Sequence, residues 1–278
     1  MKAMISLTVA EGKRLIAKAV VRLPEVIRAQ EGGKILLKGG TTVSAIAEEL
    51  VGVPLRISGR ISSRGLKVSR DTCDAPHSML IQGSAWSNVD GELPEVVANL
   101  GESDAAIIGA NLIDAHGGAA IMGGGSLGSR PGRVITGMMV EGVPIIVAAG
   151  LEKLIPGTVD QAVRAAGRKG VALSMGMAVG LMPLCGRVVS ELEAVKLLAP
   201  VDCQVIGKGG IDGAEGGVTL VVSGKDVDVE RIFRLALELK GAGTSGIAES
   251  LPECDKAGAG CQGHLACIYR SPRLVSML

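Results

Sequence analysis

The chain has almost no aromatic side chains, since Trp86, Phe233 and Tyr269 are the only three among its 278 residues. Hydrophobic residues nevertheless make up 47% of the composition, so a core must be built from Ala, Val, Ile, Leu and Met. Cores of small and branched residues are typical of buried parallel strands covered by helices. The 41 glycines follow apolar segments without a three-residue period, which excludes a collagen-like chain.

An excess of charge of one sign is also missing. The chain has 29 basic and 28 acidic residues, and it contains no Lys/Arg block. Together with the lack of stacking aromatics and of a basic recognition helix, this balance argues against a nucleic-acid partner.

No long hydrophobic run is present. The longest nearly uncharged apolar run, Val171 to Cys185, is shorter than the roughly 18 residues that a membrane span requires. The stretch from Met1 to Ala10 shows no export signal. We therefore expect a cytoplasmic protein with no membrane partner.

Six cysteines without an export signal indicate free thiols or metal ligands rather than a disulfide framework. Four soft ligands lie within fourteen residues of a Gly/Cys-rich tail, residues 246–278: Cys254, Cys261, His264 and Cys267. Three thiolates and one imidazole suit a tetrahedral Zn site, and thiolate-rich segments also bind iron–sulfur clusters. The alternatives are incidental cysteines in a flexible tail and a disulfide formed on isolation.

Helices alternate with short buried strands over residues 1–170, which predicts an α/β ligand-binding domain: a parallel sheet with helices on both faces. A capping box at Thr8–Glu11 marks the first helix, and another at Ser190–Glu193 begins a new run. The succession of helix, strand, strand and helix over residues 171–245 predicts a smaller α+β domain.

A glycine turn lies where a predicted strand leads into a predicted helix, and it comprises Gly39, Gly40, Thr41 and Thr42. Its backbone amides, the helix dipole and the two hydroxyls would face an anion, so we expect a bound phosphate or carboxylate. The alternative is a purely structural turn in which a threonine caps the helix.

A second polar cluster follows the predicted buried strand Asp104–Gly109. Gly109, Asn111, Gly124 and Ser126 are candidate ligand-binding residues, because loops beyond the carboxyl ends of parallel strands are where such sheets bind ligands. Asp114 is a candidate catalytic base if it is partly desolvated. The alternative is an Asx-type turn in which the carboxylate satisfies its own backbone.

Glu152 and Lys153 follow the strand Val143–Ala148 and place a carboxylate beside an ammonium group. In a dry site such a pair can bind a ligand or carry out proton or nucleophilic chemistry, so both are candidate catalytic residues. On a solvated helix start they would form an ordinary surface pair.

The polar stretch from Asp71 to His77 is interpreted as a plain loop, although it could reach the same cleft.

Three stretches resemble one superfamily: KGGTTVSAIAEEL, SDAAIIGANLIDAHGG and GLEKLIP. This superfamily groups ribose-5-phosphate isomerase, glucosamine-6-phosphate deaminase and CoA transferases with the sensing domains of DeoR-type regulators and with lactate-utilisation domains. The resemblance spans about residues 30–165. It implies that Thr41 and Thr42 belong to a phosphate-binding turn and Asn111 and Asp114 to a second ligand loop.

The chain departs from the enzymes of that superfamily, because it lacks the catalytic Asp and Lys stretch of the isomerase and a glutamate context typical of CoA transferases. We therefore expect a protein that binds an anionic metabolite, phosphorylated or carboxylated, with an isomerase-like or transferase-like activity as one possibility. The alternative is a non-catalytic metabolite sensor or a metal-dependent interaction protein. The sequence leaves both a homo-oligomer and a monomer open.

Overall fold

A computed structural model describes residues 1–68, 73–247, 261 and 263–270. Its helices are α1 (Val9–Val20), α2 (Pro24–Gly32), α3 (Thr41–Val51), α4 (Leu93–Val97), α5 (Ser129–Val140), α6 (Val159–Ala165), α7 (Glu191–Leu198) and α8 (Asp226–Glu238). Its strands are β1 (Lys2–Leu7), β2 (Ile35–Lys38), β3 (Gly59–Ser62), β4 (Gly65–Val68), β5 (Ser78–Gln82), β6 (Ala85–Asn88), β7 (Ala105–Gly109), β8 (Leu112–Ile113), β9 (Ala119–Gly123), β10 (Ile145–Ala148), β11 (Gly180–Pro183), β12 (Arg187–Val189), β13 (Asp202–Gly209) and β14 (Gly217–Ser223).

The central sheet in the described residues has six strands in the order β12-β10-β7-β2-β5-β6. The first four of these strands run parallel, whereas β5 and β6 add antiparallel to one side. The prediction of a parallel sheet therefore holds for four strands, and the sheet as a whole is mixed. A hairpin can extend a parallel sheet because consecutive antiparallel strands need only a short turn.

Buried residues alternate between the two faces of this sheet. Ile35 and Leu37 of β2 pack in the cluster that contains α1, α2, α3 and α7, while Leu36 packs with α4 and α5. The neighbouring strand β7 alternates in the same way, with Ile107 in the first cluster and Ile108 in the second. Aliphatic residues that are buried on both faces explain why the strand sequences are continuous apolar runs rather than alternating ones.

Both predicted capping boxes are confirmed. Thr8 accepts the Glu11 N–H and Glu11 accepts the Thr8 N–H at the start of α1. Ser190 and Glu193 form the equivalent pair at the start of α7. Each box satisfies helix-terminal amides locally, which is why it can be recognised from sequence.

Strand pairing crosses the predicted domain boundary at residue 170 in both directions. The three-residue strand β12 joins the six-stranded sheet beside β10, and β1 pairs antiparallel with β14 in a sheet of order β1-β14-β13. The predicted helix, strand, strand and helix after residue 190 are present as α7, β13, β14 and α8. Both of these sheets therefore combine strands from the ranges 1–170 and 171–245.

The described residues also form two smaller sheets. One has the order β11-β9-β8, and the other is the hairpin of β3 and β4. Ile113 of β8 bridges to Leu154, which ties the small sheet to the chain that follows β10. Among the described residues no helix combines the length and the apolar character needed to cross a bilayer.

Candidate functional site

The carboxyl ends of β2, β7, β10 and β12 meet at one edge of the six-stranded sheet. Register pairs Lys38 with Ile108, Gly109 with Ala148, and Ala148 with Val189. The chain leaving each strand therefore emerges beside its neighbour, and parallel α/β sheets bind ligands at this edge. We call it the carboxyl edge.

The predicted glycine turn leads from β2 into α3 at this edge. Gly40 precedes the helix with φ of 145°, a conformation that glycine adopts without steric cost. Gly39 donates its N–H to the carbonyl of His77 at 2.8 Å, and a Cβ at Gly39 would lie 2.3 Å from Nδ1 of the same residue. Gly39 leaves no room for a side chain because the His77 segment approaches it closely. At position 40, glycine is favoured because the turn requires a positive φ.

Thr42 lies in the first turn of α3 and is 1% exposed, and its Oγ1 has no hydrogen-bond partner among the residues that the structure describes. A buried hydroxyl without a partner costs free energy, about 1–3 kcal/mol. No side chain caps α3, so its first amides are also free of side-chain acceptors. The start of this eleven-residue helix thus offers donors that an anion would satisfy.

Lys38, the last residue of β2, adds a positive charge directly before the turn. It is 6% exposed, and its side chain makes no hydrogen bond or ion pair within the described residues. Desolvation lowers the pKa of Lys38 to about 8, although the charge of Asp90 acts in the opposite direction. Ser78, its partner across β5, is fully buried with an unpaired Oγ.

A polar network fixes the surroundings of Lys38. Asp90 accepts the N–H of Ser78 at 2.7 Å, the N–H of His77 at 2.9 Å and Nη2 of Arg56 at 3.0 Å. Burial alone would raise the pKa of Asp90, but these donors outweigh it, so the pKa is lowered. Desolvation, followed by the charge of Lys38, lowers the pKa of His77 to about 4, so its ring is neutral at neutral pH.

Glu152 and Lys153 lie in a 3-10 turn, Leu151–Lys153, that follows β10 at the carboxyl edge. Two residues that the sequence analysis missed join them: Lys13 of α1 and Glu191, the first residue of α7. Lys13 Nζ is 3.3 Å from Glu152 Oε1, and a Cβ at Gly150 would be 2.0 Å from Glu152 Oε2 and 2.9 Å from Glu191 Oε1. These four residues are referred to below as the acid–base cluster.

Burial controls the electrostatics of the acid–base cluster. Glu191 is 2% exposed, and desolvation raises its pKa to about 7 even though it accepts the Leu151 N–H at 2.8 Å. Desolvation lowers the pKa of Lys153 to about 8, against the attraction of Glu152. Both carboxylate oxygens of Glu152 are buried, and neither is in hydrogen-bond geometry with a partner in the described part of the chain. An acid and a base that both titrate close to neutral pH suit proton transfer.

Asp114 and Asn111 are engaged in local backbone contacts. Asp114 accepts N–H groups of His116 at 2.9 Å, Gly118 at 2.8 Å and Val159 at 2.8 Å. These bonds, the one from Val159 foremost, lower the pKa of Asp114 and make it a weak base at neutral pH. Asn111 Oδ1 accepts the Met122 N–H at 2.9 Å. The geometry matches the Asx-type turn that the sequence left open for Asp114.

The remaining predicted ligand residues separate into two places. Gly109 ends β7 at the carboxyl edge. A Cβ built on this glycine would lie 3.8 Å from Cγ2 of Val43, in the first turn of α3. Gly124 and Ser126 lie instead in the loop between β9 and α5, where Ser126 lines a surface groove of about 560 Å³ with Leu127 and residues 164–171. This groove is formed by residues that do not belong to the acid–base cluster or the glycine turn.

The predicted metal ligands are only partly described, because Cys254 lies outside the described residues. Cys267 forms a parallel bridge to Ser174, and the His264 N–H donates to the carbonyl of Cys261 at 3.0 Å. Within the described part of the chain no three His, Cys, Asp or Glu side chains come together as a metal site. The four-ligand site stays a prediction.

Sequence signals for the missed residues can be named. Lys38 ends an otherwise aliphatic buried strand, where a lysine is unusual. Gly12 weakens the interior of α1, and a Cβ there would lie 2.4 Å from Glu191 Oε1, so the glycine makes room for that carboxylate. Lys13 and Glu191 were hidden because they lie on helices far from the glycine loops in sequence.

No protein-family model, curated protein or solved structure matches this chain.

Proposed function

We propose that the protein binds a phosphorylated or carboxylated small metabolite at the carboxyl edge. The observation that carries the proposal is that the ammonium group of Lys38, a residue only 6% exposed, and the buried hydroxyl of Thr42 lie at the two ends of the glycine turn, and neither has a partner among the described residues. An anion there would gain a helix amino terminus, a hydroxyl and a positive charge together. The resemblance of KGGTTVSAIAEEL to sugar-phosphate-binding proteins supports the same ligand class.

An isomerase-like or transferase-like activity on that ligand is supported by the acid–base cluster. The turn after β10 and the turn after β2 are separated by one strand, β7, which corresponds to about 10 Å across the sheet. A metabolite of a few carbon atoms that is held by its anionic group at Lys38 and Thr42 could reach Glu152 and Glu191. A sensor would have no need for a glutamate and a lysine with pKa values of about 7 and 8.

Ligand binding can be tested by thermal-shift screening of sugar phosphates, CoA esters and small carboxylates. We expect at least one ligand to raise the Tm of the parent, and we expect K38M and T42V to lose most of that rise. The control is K2M, which removes the same charge from an exposed residue of β1. A ligand that stabilises the parent and both variants equally would exclude the carboxyl edge as its site.

Catalysis can be separated from sensing with the ligand found in that screen. We expect the parent to exchange a carbon-bound hydrogen of the ligand with solvent deuterium, or to convert it, as followed by NMR. E191Q should keep ligand binding and lose the exchange. A parent that binds the ligand but neither exchanges nor converts it would favour the sensor alternative.

A further inference from the structure

Positive charge is concentrated in three segments that are distant in sequence: residues 59–68, 164–178 and 263–270. Together they contain seven basic side chains and no Asp or Glu. These are Arg60, Arg64, Lys67, Arg164, Arg168, Lys169 and Arg270. The rest of the chain then has 22 basic against 28 acidic residues, so the basic residues are unevenly distributed along the sequence.

The fold brings the three segments together. Leu66 of β4 forms a parallel bridge with Gly176, and the Met177 N–H donates to the Leu66 carbonyl at 2.9 Å. The Ser174 N–H donates to the Ala266 carbonyl at 2.9 Å. Arg168 Nη2 donates to the Gly263 carbonyl at 3.1 Å, and the Arg64 guanidinium lies 4.4 Å from the centroid of the Tyr269 ring.

The groove of about 560 Å³ is lined by one of these segments, through residues 164–171, together with Ser126 and Leu127, and we call it the basic groove. Arg168 and Lys169 line it, and Lys169 makes no ion pair or hydrogen bond in the described part of the chain. Arg168 Nε is buried and has no hydrogen-bond partner among the described residues, which leaves one guanidinium donor unsatisfied there. Arg164 also lines the groove but pairs with Asp160 at 3.0 Å, so it contributes less net charge.

The opposite wall of the basic groove is the glycine-rich loop that leads into α5. Leu127 in this loop has φ of 53° and is 96% exposed, and Ser129 has φ of 54°. Non-glycine residues with positive φ are strained and are common at ligand-binding loops. The loop therefore keeps a strained conformation beside the groove that Arg168 and Lys169 also line.

We propose that the basic groove binds a small molecule that carries two or more phosphate groups. Its volume fits a molecule of nucleotide size, and a planar guanidinium with an unsatisfied donor matches a phosphate oxygen. Leu127, Ala165 and Val171 supply an apolar wall for an attached organic group. This site is separate from the carboxyl edge and goes beyond the proposed function.

The test is isothermal titration with inorganic tripolyphosphate and with ATP, performed on the full chain. We expect both to bind, with ATP the tighter because of the apolar wall. R168Q/K169Q should weaken both by about tenfold or more, since hydrogen bonds to charged groups contribute about 1.5–3 kcal/mol each. R231Q/R234Q removes equal charge from exposed ion pairs of α8 and should change neither affinity.

Three results would overturn the proposal. They are a parent that binds neither probe at millimolar concentration, an equal loss in R231Q/R234Q, and tighter binding of a single-stranded oligonucleotide that R168Q/K169Q abolishes. The last result would make the surface a nucleic-acid interface instead. The carboxyl edge is tested separately, by the loss of ligand-induced stabilisation in K38M and T42V, so failure of this site and failure of the carboxyl edge can be told apart.

Discussion

Replacing Glu191 with glutamine removes a buried titratable group while keeping an oxygen that can accept the Leu151 N–H. Burial raises the pKa of Glu191 from 4.5 to about 7 in the folded chain. A group whose pKa is raised by folding favours the folded state at low pH, and this contribution is lost as the pH rises through the folded-state pKa. The difference between 4.5 and about 7 corresponds to about 3 kcal/mol.

His77 acts in the opposite direction over nearly the same range. Its pKa falls from 6.5 to about 4 on folding, so the folded state binds fewer protons and gains stability as the pH rises from about 4 to 6.5. The two slopes largely cancel in the parent. E191Q removes only the contribution of Glu191, which decreases with pH, and keeps that of His77, which increases. The free energy of unfolding of E191Q should therefore rise with pH, whereas that of the parent should change little.

The assay is urea unfolding of both proteins between about pH 4.5 and 7.5, a range in which Lys38 and Lys153 stay mostly protonated. E191Q should be close to the parent at the acidic end and more stable by about 3 kcal/mol at the neutral end. The exposed Glu238 of α8 supplies the control E238Q, which should show no such trend. A difference between E191Q and the parent that does not change with pH would refute the buried, raised-pKa state of Glu191.

Three further predictions follow from the close contacts and the tail. G39A should lower stability by about 1–3 kcal/mol because its Cβ would meet the His77 ring, whereas G32A, with nothing within 4 Å, should not. Histidine NMR should find the His77 ring uncharged at about pH 5.5, because burial lowers its pKa to about 4; a charged ring there would contradict the buried network. Elemental analysis of protein purified anaerobically without chelator should find Zn or iron bound at a level that declines as thiolates protonate at low pH. The absence of any metal that copurifies or can be restored would end the hypothesis of a site formed by Cys254, Cys261, His264 and Cys267.

Local signals in the sequence predicted the parts of the fold that depend on nearby residues. The capping boxes at Thr8 and Ser190 were found because each pairs residues three apart. The strands β3, β4 and β12 were missed, since three or four residues of mixed polarity give no reliable period. β1 was missed because its only strand partner, β14, lies more than 200 residues away.

The candidate site divides in the same way. The glycine turn and the Glu152–Lys153 pair could be predicted because each follows a recognisable buried strand. Glu191 and Lys13 could not, because they reach Glu152 only after α1 and α7 pack against each other. Asp114 resembles a catalytic residue in sequence, but the three amides around it are visible only in the folded chain.

The pairing of β1 with β14 also constrains how the chain can be made. Lys2 lies opposite Ser223, so β1 leaves the ribosome about 220 residues ahead of the strand with which it pairs. At about 5–20 residues per second, this interval is on the order of 10–40 s. During that time the apolar face of Ile5 and Leu7 is an unpaired strand edge that can associate with other chains. Expression at low temperature or with abundant chaperones should therefore affect the yield of this protein more than its final stability.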